Sequence, residues 1–353
     1  MKGLLDNELY LEDVSSVAGL ELPWDKLENS RVLITGAGGL IGSFLTDALM
    51  WRNGNFGMHC KIYAMGRNEL FAKERFARYL DSSLFTFMTH DLADKLETQE
   101  CFDYIIHLAS NTHPVAYATQ PVSTIATNVI GTDNLLRYAA EHGTRRFLFA
   151  SSNEIYGENR GDAELFTEEY CGYIDCNTLR AGYPESKRCG EALCQAYRRE
   201  KELDIVIPRL TRSYGPTLLR SDTKAMSQFI RKAVAGEDIV LKSEGNQYYS
   251  YTYVADAVSG LLTVLLKGEN GEAYNIADQK SDIMLKDLAS VIAEICGRRV
   301  VFELPDSTEK AGYSMATKAR LDGSKIKRLG WEMKYDISEG IARTIRILRL
   351  GLS

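Results

Sequence analysis

Tyr183-Pro184-Glu185-Ser186-Lys187 places a phenol and an ammonium four residues apart, on one face if the segment is helical. An ammonium beside a phenol favours the phenolate and lowers a pKa that starts at about 10. Tyr183 would then serve as a base, taking a hydroxyl proton while a hydride leaves the same carbon. Upstream, Ser151-Ser152-Asn153-Glu154-Ile155-Tyr156-Gly157 follows an apolar run and brings a hydroxyl, an amide and a carboxylate together. A third cluster is Thr35-Gly36-Ala37-Gly38-Gly39-Leu40-Ile41-Gly42, in which Gly36, Gly39 and Gly42 are spaced by three. Such spacing lets the backbone turn tightly, approach a pyrophosphate and open a helix whose positive end faces the phosphates. Asp91 and Leu92, just past a third apolar run, are placed to meet an adenine edge, although Asp91 suits an N-cap equally well. The second run ends Tyr63-Ala64-Met65-Gly66-Arg67-Asn68, with no acid for a ribose 2′-hydroxyl and with Arg67 suited to a 2′-phosphate. Both NAD and NADP therefore stay open as the cofactor.

The elements that must hold these residues read as short buried strands alternating with helices. Strands are expected at Arg31–Thr35, Lys61–Met65, Phe85–Thr89, Asp103–Leu108, Arg146–Ala150 and Asp204–Ile207, the last closed by Pro208. Helices are expected at Gly39–Trp51, Pro121–His142 and Tyr183–Lys201. Continuous apolar strands between helices predict an α/β protein with a doubly wound parallel sheet, covered on both faces. From about residue 211 to residue 353 the elements shorten: helices at Lys224–Ala235, Ala255–Lys267 and Leu285–Cys296, and strands near Ile239 and Tyr251. This predicts a smaller α/β substrate lobe over the carboxyl edge of the sheet, interleaved with a dinucleotide-binding domain at 31–210. Residues 1–30 read as a helical extension packed on the surface. The run Tyr248–Tyr253 alternates like a strand with one face in the core.

The chain has 353 residues, 45% hydrophobic and 25% charged, which suits a soluble globular protein with one large core or two domains. A net charge of −6 argues against a nucleic-acid partner. No apolar window is long enough to predict a membrane span, and the start lacks a signal-peptide pattern. Seven cysteines, an odd number without a disulfide framework, point to a reducing cytoplasm. The pairs Cys171/Cys176 and Cys189/Cys194 lack zinc-site spacing, so no metal is expected. His107 reads as a satisfied core histidine and His113 as a loop residue within reach of a ligand.

Taken in order, TGAGGLIGS, HLAS at His107–Ser110, NVIGTDNLL from Asn128, SSNEIYG, YPESK, RSYGP from Arg212, YTYVADAV from Tyr251 and the closing Lys325–Trp331 resemble the extended short-chain dehydrogenase/reductases, the nucleotide-sugar epimerase/dehydratase superfamily. Within it, the stretches around His107–Asn128, Tyr183–Tyr197 and Ser152–Gly157 look most like UDP-glucuronate decarboxylases. The resemblance implies a Rossmann fold and a nicotinamide cofactor, NAD by the family pattern, held by Gly36, Gly39, Leu40, Ile41, Gly42, Arg67, Asp91, Leu92, Leu108, Ala109, Ser110, Tyr183 and Lys187. It makes Tyr183 the base, Lys187 its pKa-lowering and ribose-holding partner, and Ser152 the hydroxyl sharing the substrate's 4-oxygen. Glu154 would face C5. Transient oxidation at C4 would turn a C5 carboxylate into a β-keto acid that loses CO2 to an enolate, after which the hydride returns. A simple 4-epimerase would leave Glu154 idle. A 4,6-dehydratase usually has an acid where Asn153 stands, and an amide cannot donate that proton. A non-catalytic dinucleotide sensor would not need Tyr183 beside Lys187.

Two positions depart from the pattern. Relatives commonly read Gln-x-Arg before the YVxD motif, the Arg gripping the substrate's pyrophosphate, whereas this chain has Gln247-Tyr248-Tyr249. The usual Asn of R-x-x-N-x-Y-G-P is replaced in Arg209-Leu-Thr-Arg212-Ser-Tyr-Gly-Pro216. A charge lost at one wall and gained at another suggests that Arg212 binds phosphate or carboxylate, unless it merely pairs with a neighbouring acid. Asn153, Arg212 and Tyr249 are thus the expected substrate-binding residues. The resemblance also implies a homodimer through the two long helices, whose apolar positions include Ile125, Val129, Leu136, Leu193 and Tyr197.

Overall fold

The computed structural model describes residues 3–112, 114–303, 305 and 317–350. Strands β1 (Arg31–Thr35), β2 (Lys61–Gly66), β3 (Phe85–Thr89), β4 (Tyr104–His107), β5 (Arg146–Phe149), β6 (Ser151–Ser152) and β7 (Ile205–Leu210) come first. Then follow β8 (Arg212–Tyr214), β9 (Ile239–Leu241), β10 (Tyr248–Tyr253), β11 (Ala273–Ile276), β12 (Asp282–Met284), β13 (Val300–Phe302) and β14 (Lys318–Ala319). The helices are α1 (Glu8–Ala18), α2 (Leu40–Phe56), α3 (Glu69–Arg75), α4 (Pro114–Thr119) and α5 (Pro121–Glu141). Next come α6 (Gly182–Lys201), α7 (Ala225–Ala235), α8 (Val254–Lys267), α9 (Leu285–Cys296) and, after a short turn at Ser324–Lys327, α10 (Ile337–Leu350).

An eight-stranded sheet runs β11-β7-β5-β4-β1-β2-β3, with β6 beside β7, and its pairs are parallel. Alternation along β1 explains its unbroken apolar sequence. Val32 and Ile34 enter the core that also holds Tyr10, Phe44 and Leu262, while Leu33 enters the opposite core with Leu135, Leu136 and Cys194. The expected doubly wound parallel sheet is therefore present. The chain winds outward from β1 to β2 and β3 on one side and to β4 and β5 on the other, so a crevice opens between the carboxyl ends of β1 and β4.

β10 lies in a second sheet with β12, β14 and β8, while β9 and β13 pair separately. This part of the chain also reaches back, since β11 extends the large sheet next to β7.

Three expectations need correction. Pro208 does not close its strand, because β7 continues to Leu210. β7 pairs with β5 through Ile205 and Val206 and with β6 through Arg209 and Leu210. Ile207 donates toward the β11 side, to Glu272 O at 3.1 Å. The missing N–H of Pro208 thus falls at the gap between β5 and β6, where no ladder bond is lost. Secondly, Tyr248–Tyr253 is buried on both faces beyond Tyr248, because β10 is an inner strand of its sheet.

Thirdly, the described part of the N-terminal extension, residues 3–30, is not merely packed on the surface. Tyr10, Asp13, Val14, Val17 and Ala18 of α1 are buried. Asp13 accepts from Tyr253 Oη at 2.6 Å and from Tyr335 Oη at 2.8 Å, and pairs with Arg343 at 2.9 Å. Tyr10 Oη donates to Asp47 at 2.5 Å, and Asp47 also receives Tyr79 Oη at 2.9 Å and pairs with Arg75. α1 therefore ties α2, α3, β10 and α10 together through buried polar contacts that sequence spacing does not reveal.

Candidate active site

The carboxyl ends of the parallel strands and the smaller sheet enclose a cleft of about 2380 Å³. All the residues expected to bind cofactor or substrate line it: Gly36, Gly39, Leu40, Ile41, Gly42, Arg67, Asp91, Leu92, Leu108, Ala109, Ser110, Ser152, Asn153, Glu154, Tyr183, Lys187, Arg212 and Tyr249. His113 lies outside the described residues.

At the glycine turn, Gly36 has φ of +68° and a Cβ there would stand 2.8 Å from the Ala109 backbone. A Cβ on Gly42 would stand 2.4 Å from Gly36 O. These two positions admit only glycine without moving backbone. Gly39 caps α2 with no side-chain hydrogen bond, leaving the first amides of the helix for an anion. The turn is thus a side-chain-free cradle that fits a dinucleotide pyrophosphate. At its far end Arg67 stands 3.7 Å from Asp91, and Asp91 also accepts from Ala93 N at 3.0 Å. The carboxylate beside Arg67 disfavours a second anion there, which favours a plain ribose over a 2′-phosphate. Asp91 closes a short turn, but no helix begins there, so it is not the helix N-cap of its alternative reading.

β6 delivers Ser152 to the cleft, and the following turn carries Asn153 and Glu154. Ser152 Oγ accepts from Glu154 N at 3.2 Å. α6 delivers Tyr183, which is 6% exposed, and Lys187, which is 2% exposed. α6 is also bolted to that turn: Arg188 donates to Ile155 O and Gly172 O, each at 2.7 Å. Arg209, at the end of β7, grips Glu191 of α6 at 3.0 and 2.7 Å and donates to Tyr156 Oη at 3.0 Å.

The expected drop in the Tyr183 pKa is absent here. Burial pushes the phenol up to about 12, Ser152 hydrogen bonding and Arg180 pull it down, and Glu154 pushes it up. Desolvation outweighs the helpers because the ring is covered, with Tyr117 stacked on it at 4.8 Å. Lys187 points its ammonium at Ala150 O, 2.9 Å away, and burial lowers its pKa to about 8. His107 is fully buried between Thr35 Oγ1 at 2.8 Å and Thr132 Oγ1 at 3.1 Å, and burial lowers it to about 3. It is the satisfied core histidine expected.

Arg212 stacks over Tyr249 at 3.4 Å and lies 4.0 Å from Glu154. β8 and β10 are parallel with Arg212 opposite Tyr251, so Tyr249, two residues earlier, shares the face of Arg212. Tyr249 thus supports Arg212 on the neighbouring strand. Two further residues escaped the sequence reading as site residues. Arg180 binds Glu154 at 2.6 Å, and Tyr117 covers Tyr183. A cation three residues before Tyr183 was the only available signal for Arg180.

The residues 32–277 match the model of the NAD dependent epimerase/dehydratase family. The chain is 33% identical over 325 residues to UDP-glucuronic acid decarboxylase 6 of Arabidopsis thaliana, covering 92% of this chain and 90% of that one. It is 30% identical to UDP-glucuronic acid decarboxylase 1 of Xenopus tropicalis, covering 92% and 73%. The fold is similar to the UDP-glucose 4-epimerase of Thermotoga maritima solved with UDP-glucose, with a TM-score of 0.78, 25% identity and coverage of 92% and 100%. With the glycine cradle and the Ser152–Tyr183–Lys187 cluster in one cleft, these matches show that the chain belongs to the NAD dependent epimerase/dehydratase family.

Proposed function

We propose that this enzyme oxidises C4 of a nucleotide sugar transiently and decarboxylates a UDP-glucuronate-like substrate. The observation that carries the reading is Glu154, which lines the same cleft as Ser152 and Tyr183 and donates its backbone N–H to Ser152 Oγ at 3.2 Å. A 4-epimerase has no work for that carboxylate, and the buried Asn153 amide cannot protonate a departing 6-hydroxyl. The decarboxylase relatives support the same choice.

A nicotinamide dinucleotide in the glycine cradle supplies reversible hydride acceptance from C4. Gly36, Gly39 and Gly42 would admit its pyrophosphate, Asp91 would favour the unphosphorylated ribose of NAD, and Lys187 would hold the nicotinamide ribose. Tyr183 Oη, in the phenolate form that the Ser152 hydrogen bond and Arg180 favour against burial, takes the C4 hydroxyl proton while Ser152 Oγ holds that oxygen. The 4-ketone makes the C5 carboxylate a β-keto acid, and its C–CO2 bond breaks to leave an enolate. Ser152 and Tyr183 then hydrogen-bond the enolate oxygen, where charge develops. Glu154 would face C5 and relay a solvent proton to the carbanion there. Tyr183 returns its proton to the C4 oxygen once the bound cofactor would have given the hydride back to C4, which restores the hydroxyl.

The surface of α5 supports a homodimer through α5 and α6, since Val122, Ile125 and Ile130 are 79%, 42% and 50% exposed. Leu136 is not part of that surface, being fully buried against its own sheet, and Leu193 and Tyr197 pack on the same core. Among the described residues no helix is long and apolar enough to cross a membrane. Seven unpaired cysteines fit a reducing cytoplasm as the compartment. The deciding experiment is incubation with UDP-, dTDP-, GDP- and CDP-sugars, reading CO2 release and product mass. CO2 from a nucleotide hexuronate is expected. A product of unchanged mass, or one lighter by water, would replace this reading with epimerisation or dehydration.

A further inference from the structure

Two guanidinium groups flank Glu154 at the reacting end of the cleft. Arg180, on the turn Leu179–Ala181, gives one N–H to Glu154 Oε2 at 2.6 Å and lies 4.7 Å from the centroid of the Tyr117 ring. Arg212 lies 4.0 Å from Glu154 Oε1 and 3.4 Å from the centroid of the Tyr249 ring. Their side chains are 11% and 19% exposed. Even so, Arg180 Nε and Nη1 and Arg212 Nη1 have no hydrogen-bond partner among the described residues. A buried charged donor without an acceptor is strongly disfavoured unless something else supplies one.

Each guanidinium is backed by an aromatic face, so its planar edge is what remains for a ligand. Two guanidiniums against one carboxylate leave a net positive charge, the complement of one added anion. The position of Arg180 says which anion. It lies over the Tyr117 ring that stacks on Tyr183, the residue assigned to the C4 hydroxyl. C5 is bonded to C4, whereas the diphosphate hangs from C1 on the opposite side of the ring. An anion that meets Arg180 is therefore the C5 substituent.

We propose that Arg180 and Arg212 form a two-guanidinium clamp for the sugar carboxylate, which selects nucleotide hexuronates over neutral nucleotide hexoses. The clamp rests on the reading of the chain as a nucleotide-sugar enzyme and names what that site discriminates. It also gives Tyr249 a purpose: its aromatic face fixes Arg212, which approaches from β8.

The test is calorimetric titration of the cofactor-loaded Tyr183→Phe protein, which binds without turning over, with UDP-glucuronate, UDP-glucose and UDP. UDP-glucuronate should bind at least about 10-fold more tightly than UDP-glucose, as a paired buried charge requires. Adding Arg212→Asn or Arg180→Gln should drive that ratio toward one and leave UDP affinity within about twofold, with Arg180→Lys restoring part of the ratio. Cofactor content and circular dichroism check folding. Should Arg180→Gln fail to fold, Arg212→Asn and Arg180→Lys still decide. Equal or absent uronate binding, or a ratio that survives both substitutions, overturns the clamp. So does a loss of UDP affinity as large as that for the uronate, which would mean that the arginines read the diphosphate. Wild-type CO2 release is measured in parallel. A ratio without CO2 release sinks the decarboxylase reading and keeps the clamp, whereas CO2 release without a ratio sinks the clamp alone.

Discussion

Asp13→Ala should cost this protein a large part of its stability although the residue is far from the chemistry in sequence and function. Asp13 is fully buried and receives the hydroxyls of Tyr253, fully buried, and Tyr335, 4% exposed. Removing the carboxylate leaves both donors unsatisfied, at about 1–3 kcal/mol each. Arg343 loses one partner but keeps Glu12 at 3.0 Å, so its contribution is smaller. The sum is roughly 2–6 kcal/mol against a typical total of about 5–15 kcal/mol. Urea unfolding followed by circular dichroism measures the shift in midpoint at unchanged slope. The triple variant Asp13→Ala, Tyr253→Phe, Tyr335→Phe removes the stranded donors along with the acceptor and should recover part of the loss. A loss below about 1 kcal/mol for the single variant, or a triple variant no better than the single, would refute the argument that α1 is bonded into the core.

Tyr183→Phe should retain cofactor while turnover falls at least about 10²-fold, the scale of a lost acid–base group; near-wild-type turnover removes Tyr183 from the mechanism. Lys187 loses its charge as pH rises through about 8, so kcat/KM should fall on the alkaline side with a midpoint there. A pH–rate profile that stays flat to about pH 10 contradicts a need for the ammonium. Denatured protein should release NAD, identified by mass, because a hydride that returns to its substrate gives the carrier no reason to leave; NADP in its place would mean that Arg67 overrides Asp91. Light scattering should report twice the chain mass of 39.6 kDa, and a fully active monomer would dismiss pairing through Val122, Ile125 and Ile130.

What the amino-acid order determined by itself is local and periodic. Unbroken apolar runs such as Arg31–Thr35 specify strands covered on both faces, and the Gly36–Gly42 spacing specifies a turn without side chains. The four-residue step from Tyr183 to Lys187 requires only one helix. Each of these follows from contacts within a few residues of chain. The pKa of Tyr183 was not legible, because burial under Tyr117 depends on a helix far away in sequence, and desolvation there exceeds what neighbouring charges return. Pro208 misled because its effect depends on which side of the strand lacks a partner, a property of the sheet and not of the residue. The role of α1 was hidden for the same reason: Asp13 looks like a solvent-facing acid until Tyr253, Tyr335 and Arg343 converge on it. Arg180, Arg212 and Tyr249 come from three separate segments, and only the parallel register of β8 against β10 and the docking of the turn before α6 bring them around Glu154. Sequence specifies the pieces through short-range periodicity, whereas burial, charge and partner are properties of neighbours that the tertiary fold alone supplies.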